Sequence, residues 1–209
     1  MTPSSIISLC VSVSCALIAG AIPSLAASNP EDFFGGQDHQ AYLEWVEQSV
    51  KDFPNSYFIS SSANPAQGVA IHWKISVQEG YIDLGVAAKA KGWLSFGLSD
   101  NGGMTGSDMF LFETANPSIV TDAYVQDTRL PQDDGCQDWL LVDSSIESDF
   151  LMVKVRRLLV TGDTQDIPIR NDSGLDTPVH RVIAAWGDSG EVCTIRLLEG
   201  LRPISISKA

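Results

Sequence analysis

From Tyr57 onward the chain alternates apolar and polar residues in short runs: YFISS, GVAIHWKISV, YIDLGVAAKA, GWLSFGLS, SDMFLFET, SIVTDAYVQ, QDWLLVD, DFLMVKVRRLLV, VHRVIAAWG and CTIRLLEG. Alternation with a period of two is the mark of half-buried β-strands. The breaks hold Asn64-Pro65, Glu79-Gly80, Asn101-Gly102-Gly103, Asn116-Pro117, Asp134-Gly135 and Ser173-Gly174, residues that supply the positive or fixed φ angles of turns. About ten strands without intervening helices predict an all-β fold, an antiparallel β-sandwich or barrel. Upstream, AYLEWVEQSVKDF sets Leu43, Val46, Val50 and Phe53 at helical spacing. That predicts one short amphipathic helix, ended by Pro54 and packed across one end of a sheet.

The first 28 residues contain no Asp, Glu, Lys or Arg, and their apolar stretch from Ile6 to Ile22 runs up to small residues around Ala26. This is the pattern of a secretory signal peptide over residues 1–26, and Pro23 interrupts it short of the roughly 20 apolar residues of a membrane span. The remainder, about 180 residues, suits one domain. It divides into an extension with the helix (27–56), a sandwich (57–200) and a short tail (201–209). The expected product is a secreted, extracellular module without a stable membrane anchor.

All of the formal charge of −13 lies after the leader, which disfavours nucleic acid and anionic membranes as partners; no partner protein is indicated. Cys10 and Cys15 fall in the leader, leaving Cys136 and Cys193. In an oxidising compartment these two are expected to form a disulfide, contributing about 4 kcal/mol by loop closure; the alternative is two buried thiols. Asn171-Asp172-Ser173 is an N-glycosylation sequon in a polar stretch, as on a surface loop.

The three histidines, His39, His72 and His180, lie far apart, and no H-E-x-x-H, C-x-x-C, G-x-S-x-G or P-loop pattern is present. No catalytic constellation emerges. Asp108 and Asp122 fall in neighbouring strands with Asp100 in the preceding turn; such carboxylates either cap turns and pair with a base or hold calcium, a hard cation that takes oxygen ligands. Arg157 near a strand end is expected to pair with Asp163 or Asp166. His180 alternates with Val182, Ala184 and Trp186, so it is either a core histidine or an axial haem ligand opposite the thioether of Met104.

GWLSFGLSDNGGMTGSDMFLF, TDAYVQD, LPQDDGCQDWLL, VRRLLVTGDTQDIPI and HRVIAAWG, in this order, resemble the DOMON domain, named from the amino-terminal domain of dopamine β-monooxygenase. The resemblance covers roughly residues 57–198 and implies an immunoglobulin-like β-sandwich. It does not bring monooxygenase activity, because the copper-binding core of those enzymes lies in other domains for which this chain has no residues. Some members bind haem b through a methionine and a histidine, and Met104 in GGMTG matches the methionine. Their histidine follows the strand matching VIAAWG, where GDSGEVCTI has none, so His180 would have to serve from before that strand. The expected function is a ligand-binding module for a small molecule, a sugar or a haem-like group. The alternative is an extracellular b-type cytochrome domain that transfers electrons.

Overall fold

The computed structural model describes residues 34, 37–60, 68–126, 132–169 and 181–188. Within them a helix α1 (Gln37–Trp45) runs into a π-helical turn (Val46–Val50) and is followed by ten strands. These are β1 (Asn55–Ser60), β2 (Gly68–Ser76), β3 (Tyr81–Lys89), β4 (Trp93–Ser99), β5 (Ser107–Glu113), β6 (Val120–Tyr124), β7 (Gln132–Asp133), β8 (Leu140–Glu147), β9 (Phe150–Leu158) and β10 (Arg181–Gly187). They form two five-stranded sheets, here sheet A in the order β1-β2-β3-β9-β8 and sheet B in the order β10-β4-β5-β6-β7. Each neighbouring pair is antiparallel. The all-β sandwich expected from the alternation is therefore the fold.

The strands follow the alternating runs closely because each apolar set has a layer to enter. Ile71, Leu84, Val86, Val153 and Val155 of sheet A meet Leu94, Phe96, Phe110, Phe112 and Val182 of sheet B in the inter-sheet core. β8 departs from its run, starting at Leu140 rather than at Gln137. The reason is local: the N–H groups of Asp138 and Trp139 donate to the Asp122 carboxylate at 2.6 and 3.2 Å instead of to a neighbouring strand. The CTIRLLEG run, the leader and the tail lie outside the described residues, among which no helix is long and apolar enough to cross a membrane.

The helix starts earlier than its apolar spacing suggested and lies on the outer face of sheet A, not across a sheet end. Tyr42, Trp45 and Val50 are buried there with Phe34, Phe58, Ala70, Ala87, Phe150 and Met152, whereas Leu43, Val46 and Phe53 are only half-buried. A π turn shifts the helical phase, so a stripe drawn at constant 3.6-residue spacing through Val50 and Phe53 misses the true contact face. The Tyr42 hydroxyl meets His72 Nε2 at 2.7 Å, and burial pushes the His72 pKa down to about 4. Gly85, paired with His72, leaves the space for this layer: a Cβ there would stand 2.7 Å from Val50 Cγ1 and 2.9 Å from Trp45 Cη2.

Gly85→Ala should therefore lift the helix and cost about 1–3 kcal/mol by overpacking. Gly135→Ala, at a position with open space around it, should leave stability nearly unchanged. Denaturant unfolding of the two variants side by side checks this, and equal effects would contradict the helix placement.

Candidate functional site

Met104 sits in the loop between β4 and β5, whose shape is set by short polar links. The Ser99 hydroxyl donates to Gly103 O at 2.6 Å and accepts from Gly102 N at 3.0 Å. Asn101 accepts from Gly103 N and donates to Thr105 O, and the loop closes with Ser107 N donating to Met104 O at 3.1 Å. Gly102 and Gly106 take φ of 81° and 79°, a region in which a side chain would be strained. The glycines thus allow a tight loop, and the tight loop turns the Met104 side chain inward to 6% exposure.

It does not enter the inter-sheet core. Met104 packs with Trp93, Met109, Ala123, Val125, Ile183 and Ala185 in a separate cluster on the outer face of sheet B. β4 is buried at every position as a result. A two-layer sandwich ordinarily leaves such a face polar and wet; here the described members of the apolar cluster come from sheet B, the Met104 loop and Val125 just after β6, and none is more than 6% exposed. The polar side chains on this face of β4 are already engaged, Ser95 with Phe110 O at 2.8 Å and Met109 Sδ at 3.5 Å and Ser99 with Gly103 O at 2.6 Å.

His180, the expected partner of Met104, lies outside the described residues. Val182 and Ala184, whose face the alternation assigns to it, belong to the inter-sheet core, whereas Ile183 and Ala185 join the Met104 cluster. His72 is on the far side of the molecule, in the layer under the helix. Between the sheets, the void lined by Trp73, Leu98, Trp139, Ile169 and Val182 among others measures about 20 Å³. That is room for about one water molecule, too little for a sugar or a haem.

A second constellation occupies the end of the sandwich where β5 begins and β9 ends. Asp108, Asp122 and Asp166 are buried with carboxylate oxygens within 4.8 Å of one another. Arg157, 1% exposed, approaches Asp108 Oδ2 at 2.7 Å and Asp166 Oδ2 at 3.1 Å. Its guanidinium also donates to Ile167 O at 3.2 Å and lies 5.1 Å over the Trp139 ring. Asp108 further accepts from Trp139 Nε1 at 3.0 Å and from Ile167 N at 2.9 Å. Burial pushes Asp108 up from the ordinary carboxylate value, opposed by the Arg157 charge and those N–H donors. Burial also raises Asp122, to about 7, against the N–H groups of Asp138 and Trp139.

The calcium set suggested by the sequence is not supported: the cation among these carboxylates is the Arg157 guanidinium. Asp108 and Asp122 come together, but Asp100 is exposed and only its backbone carbonyl is engaged, by Arg181; Asp166 takes the third place. The reason is parity: Asp108 pairs with Leu98, and Asp122 with Phe110, so both face inward, while Asp100 follows the end of β4. Of the two acids proposed for Arg157, Asp166 is its partner. Asp163 instead accepts from Gln165 N at 2.7 Å and from the Cys136 thiol, which that contact pushes up. Cys136 is exposed and free; Cys193 and Asn171 lie outside the described residues. Trp139 and Ile167, which complete the cluster, carried no signal beyond ordinary strand and loop apolar residues.

A two-layer antiparallel sandwich with inward-turned polar groups at one end and an apolar outer layer defines a β-sandwich module. Residues 65–185, more than half of the chain, match the family model described as the DOMON domain, and the chain belongs to that family. It is also similar to the cytochrome domain of Myriococcum thermophilum cellobiose dehydrogenase, at 14% identity and a TM-score of 0.44, over 68% of this chain and 74% of that one.

Replacing Arg157 by Met should destabilise the protein by about 3–5 kcal/mol, since it strands buried carboxylates without their counter-charge. Adding Asp108→Asn to that variant should recover part of the loss. A double-mutant cycle by denaturant unfolding checks the coupling; additive effects would contradict the pairing.

Proposed function

We propose that this DOMON chain is a secreted, non-catalytic binding module whose ligand is a flat, largely apolar group of the haem class, seated on the outer face of sheet B beside Met104. The observation that carries the reading is the apolar outer cluster itself. Trp93, Met104, Met109, Ile183 and Ala185 form an apolar layer on that face, each at most 6% exposed, and such surroundings suit an apolar group more than a polar one. A sugar site would need several free hydrogen-bonding side chains, and the hydroxyls on this face of β4 are committed, Ser95 to Phe110 and Met109 and Ser99 to Gly103. The void between the sheets holds about 20 Å³ and favours neither ligand.

The thioether of Met104 is a soft sulfur of the kind that would hold haem iron, and the uncharged leader at residues 1–26 supports an extracellular role. Haem, when bound, supplies one-electron chemistry. The chain's own part would be to hold Met104 in its tight loop and to surround the group with apolar side chains; alternation assigns His180 to the face of Val182 and Ala184 in the inter-sheet core, so Met104 is the donor on this face.

The protein produced with haem should show a Soret band. Met104→Leu should weaken haem binding by about tenfold or more, roughly 1.4 kcal/mol, whereas His180→Ala should leave the band unchanged. No Soret band, or a band indifferent to Met104→Leu, overturns the haem assignment. Capture by polysaccharide with no haem spectrum would assign a sugar instead, and hydroxylation of a substrate with copper and ascorbate would overturn the non-catalytic reading.

A further inference from the structure

The cluster of Asp108, Asp122, Asp166 and Arg157 contains more negative than positive charge in a place closed to water. With all three carboxylates ionised, one guanidinium would face three anions whose oxygens stand within 4.8 Å of each other. Asp108 is saturated by Trp139, Ile167 and Arg157, and Asp166 Oδ2, which also lacks a hydrogen-bond donor, stands 3.1 Å from the Arg157 guanidinium. Asp122 differs in making no ion pair among the described residues. Its Oδ2 accepts from Asp138 N and Trp139 N, but its Oδ1 is fully buried and has no hydrogen-bond partner. A buried carboxylate oxygen without a donor, beside two other carboxylates, costs far more ionised than protonated.

We propose that this pocket is a proton-binding site: Asp122 carries a proton on Oδ1 toward its carboxylate neighbours, Arg157 is the fixed counter-charge, and release of the proton loosens the junction between the sheets. The junction is strung across this site. Asp108 on β5 of sheet B is tied to Arg157 on β9 of sheet A, to Trp139 before β8 and to Ile167 after β9. Removing the proton places a further buried charge against those ties. The other charged groups around the pocket, Asp134, Asp138 and Asp163, are also acidic and add no compensation; among the described residues Arg157 opposes them.

The Asp122 value of about 7 agrees with this geometry and fixes the pH window. Because the folded value lies above the ordinary 3.8, the stabilisation is fully present below the ordinary value and is lost as pH rises through about 7. The site is independent of the ligand proposed at Met104, which packs on the opposite face of sheet B.

Two measurements on the full chain test it. With isotope-labelled aspartate, NMR of the wild type should show a carboxyl carbon titrating near pH 7, absent in Asp122→Asn; if every aspartate titrates below about pH 5, the proposal is overturned. This readout does not depend on a variant folding. The melting temperature of Asp122→Asn minus that of the wild type should grow by several degrees from about pH 5 to about pH 9, and a constant or shrinking difference overturns the proposal. If millimolar calcium abolishes the wild-type loss at high pH and a chelator restores it, the carboxylates bind a metal cation rather than a proton, and the proposal also fails.

Discussion

The ion pair between Arg157 on β9 and Asp108 on β5 is the link between the two layers on which the end of the sandwich depends. Apolar packing between sheets is non-directional and tolerates sliding, whereas a guanidinium held at 2.7 Å from one carboxylate and 3.1 Å from another does not. The pair also organises its surroundings. Trp139 and the chain after β9 are drawn in to satisfy Asp108, and the segment before β8 is drawn toward Asp122 instead of into a ladder. Burying such a cluster costs desolvation energy; what it returns is a defined relation between sheets.

Both sheets carry apolar residues on both faces. Sheet A resolves this with the helix and Phe34, and Gly85 leaves the depth for Trp45 to settle. Sheet B holds Trp93, Met104 and Met109 on its far side, all of them buried. Membership of the DOMON family over residues 65–185 gives the scaffold, but fold does not choose the ligand. That choice rests on the chemistry of one face: soft sulfur, aromatic and aliphatic carbon, and a hydroxyl already spoken for.

Much of the scaffold was legible in the sequence. Strands β1–β6, β9 and β10 sit where alternation and turn residues put them, because a period of two records which residues each layer buries. The cluster was legible only in halves. Alternation set Asp108 and Asp122 on one face of adjacent strands, but nothing periodic records the course of the loop that returns Asp166 to Arg157, nor the inward turn of Trp139. Asp100 misled for the same reason, lying near Asp108 along the chain yet past the end of its strand. The helix was found from its spacing, but its contact face was not, since a π turn leaves no trace in a constant-period pattern.

His72 beneath the helix and Asp122 between the sheets lie on opposite sides of sheet A and are displaced in opposite directions, one from 6.5 to about 4 and the other from 3.8 to about 7. Over the interval the two ranges share, unfolding takes up a proton at the histidine and gives one off at the aspartate, so their effects on the global equilibrium nearly cancel. A flat stability profile in mildly acidic solution would then conceal a shift in where the molecule is weakest. Acid loads the helix layer, base loads the seam between the sheets, and the total hardly registers the exchange.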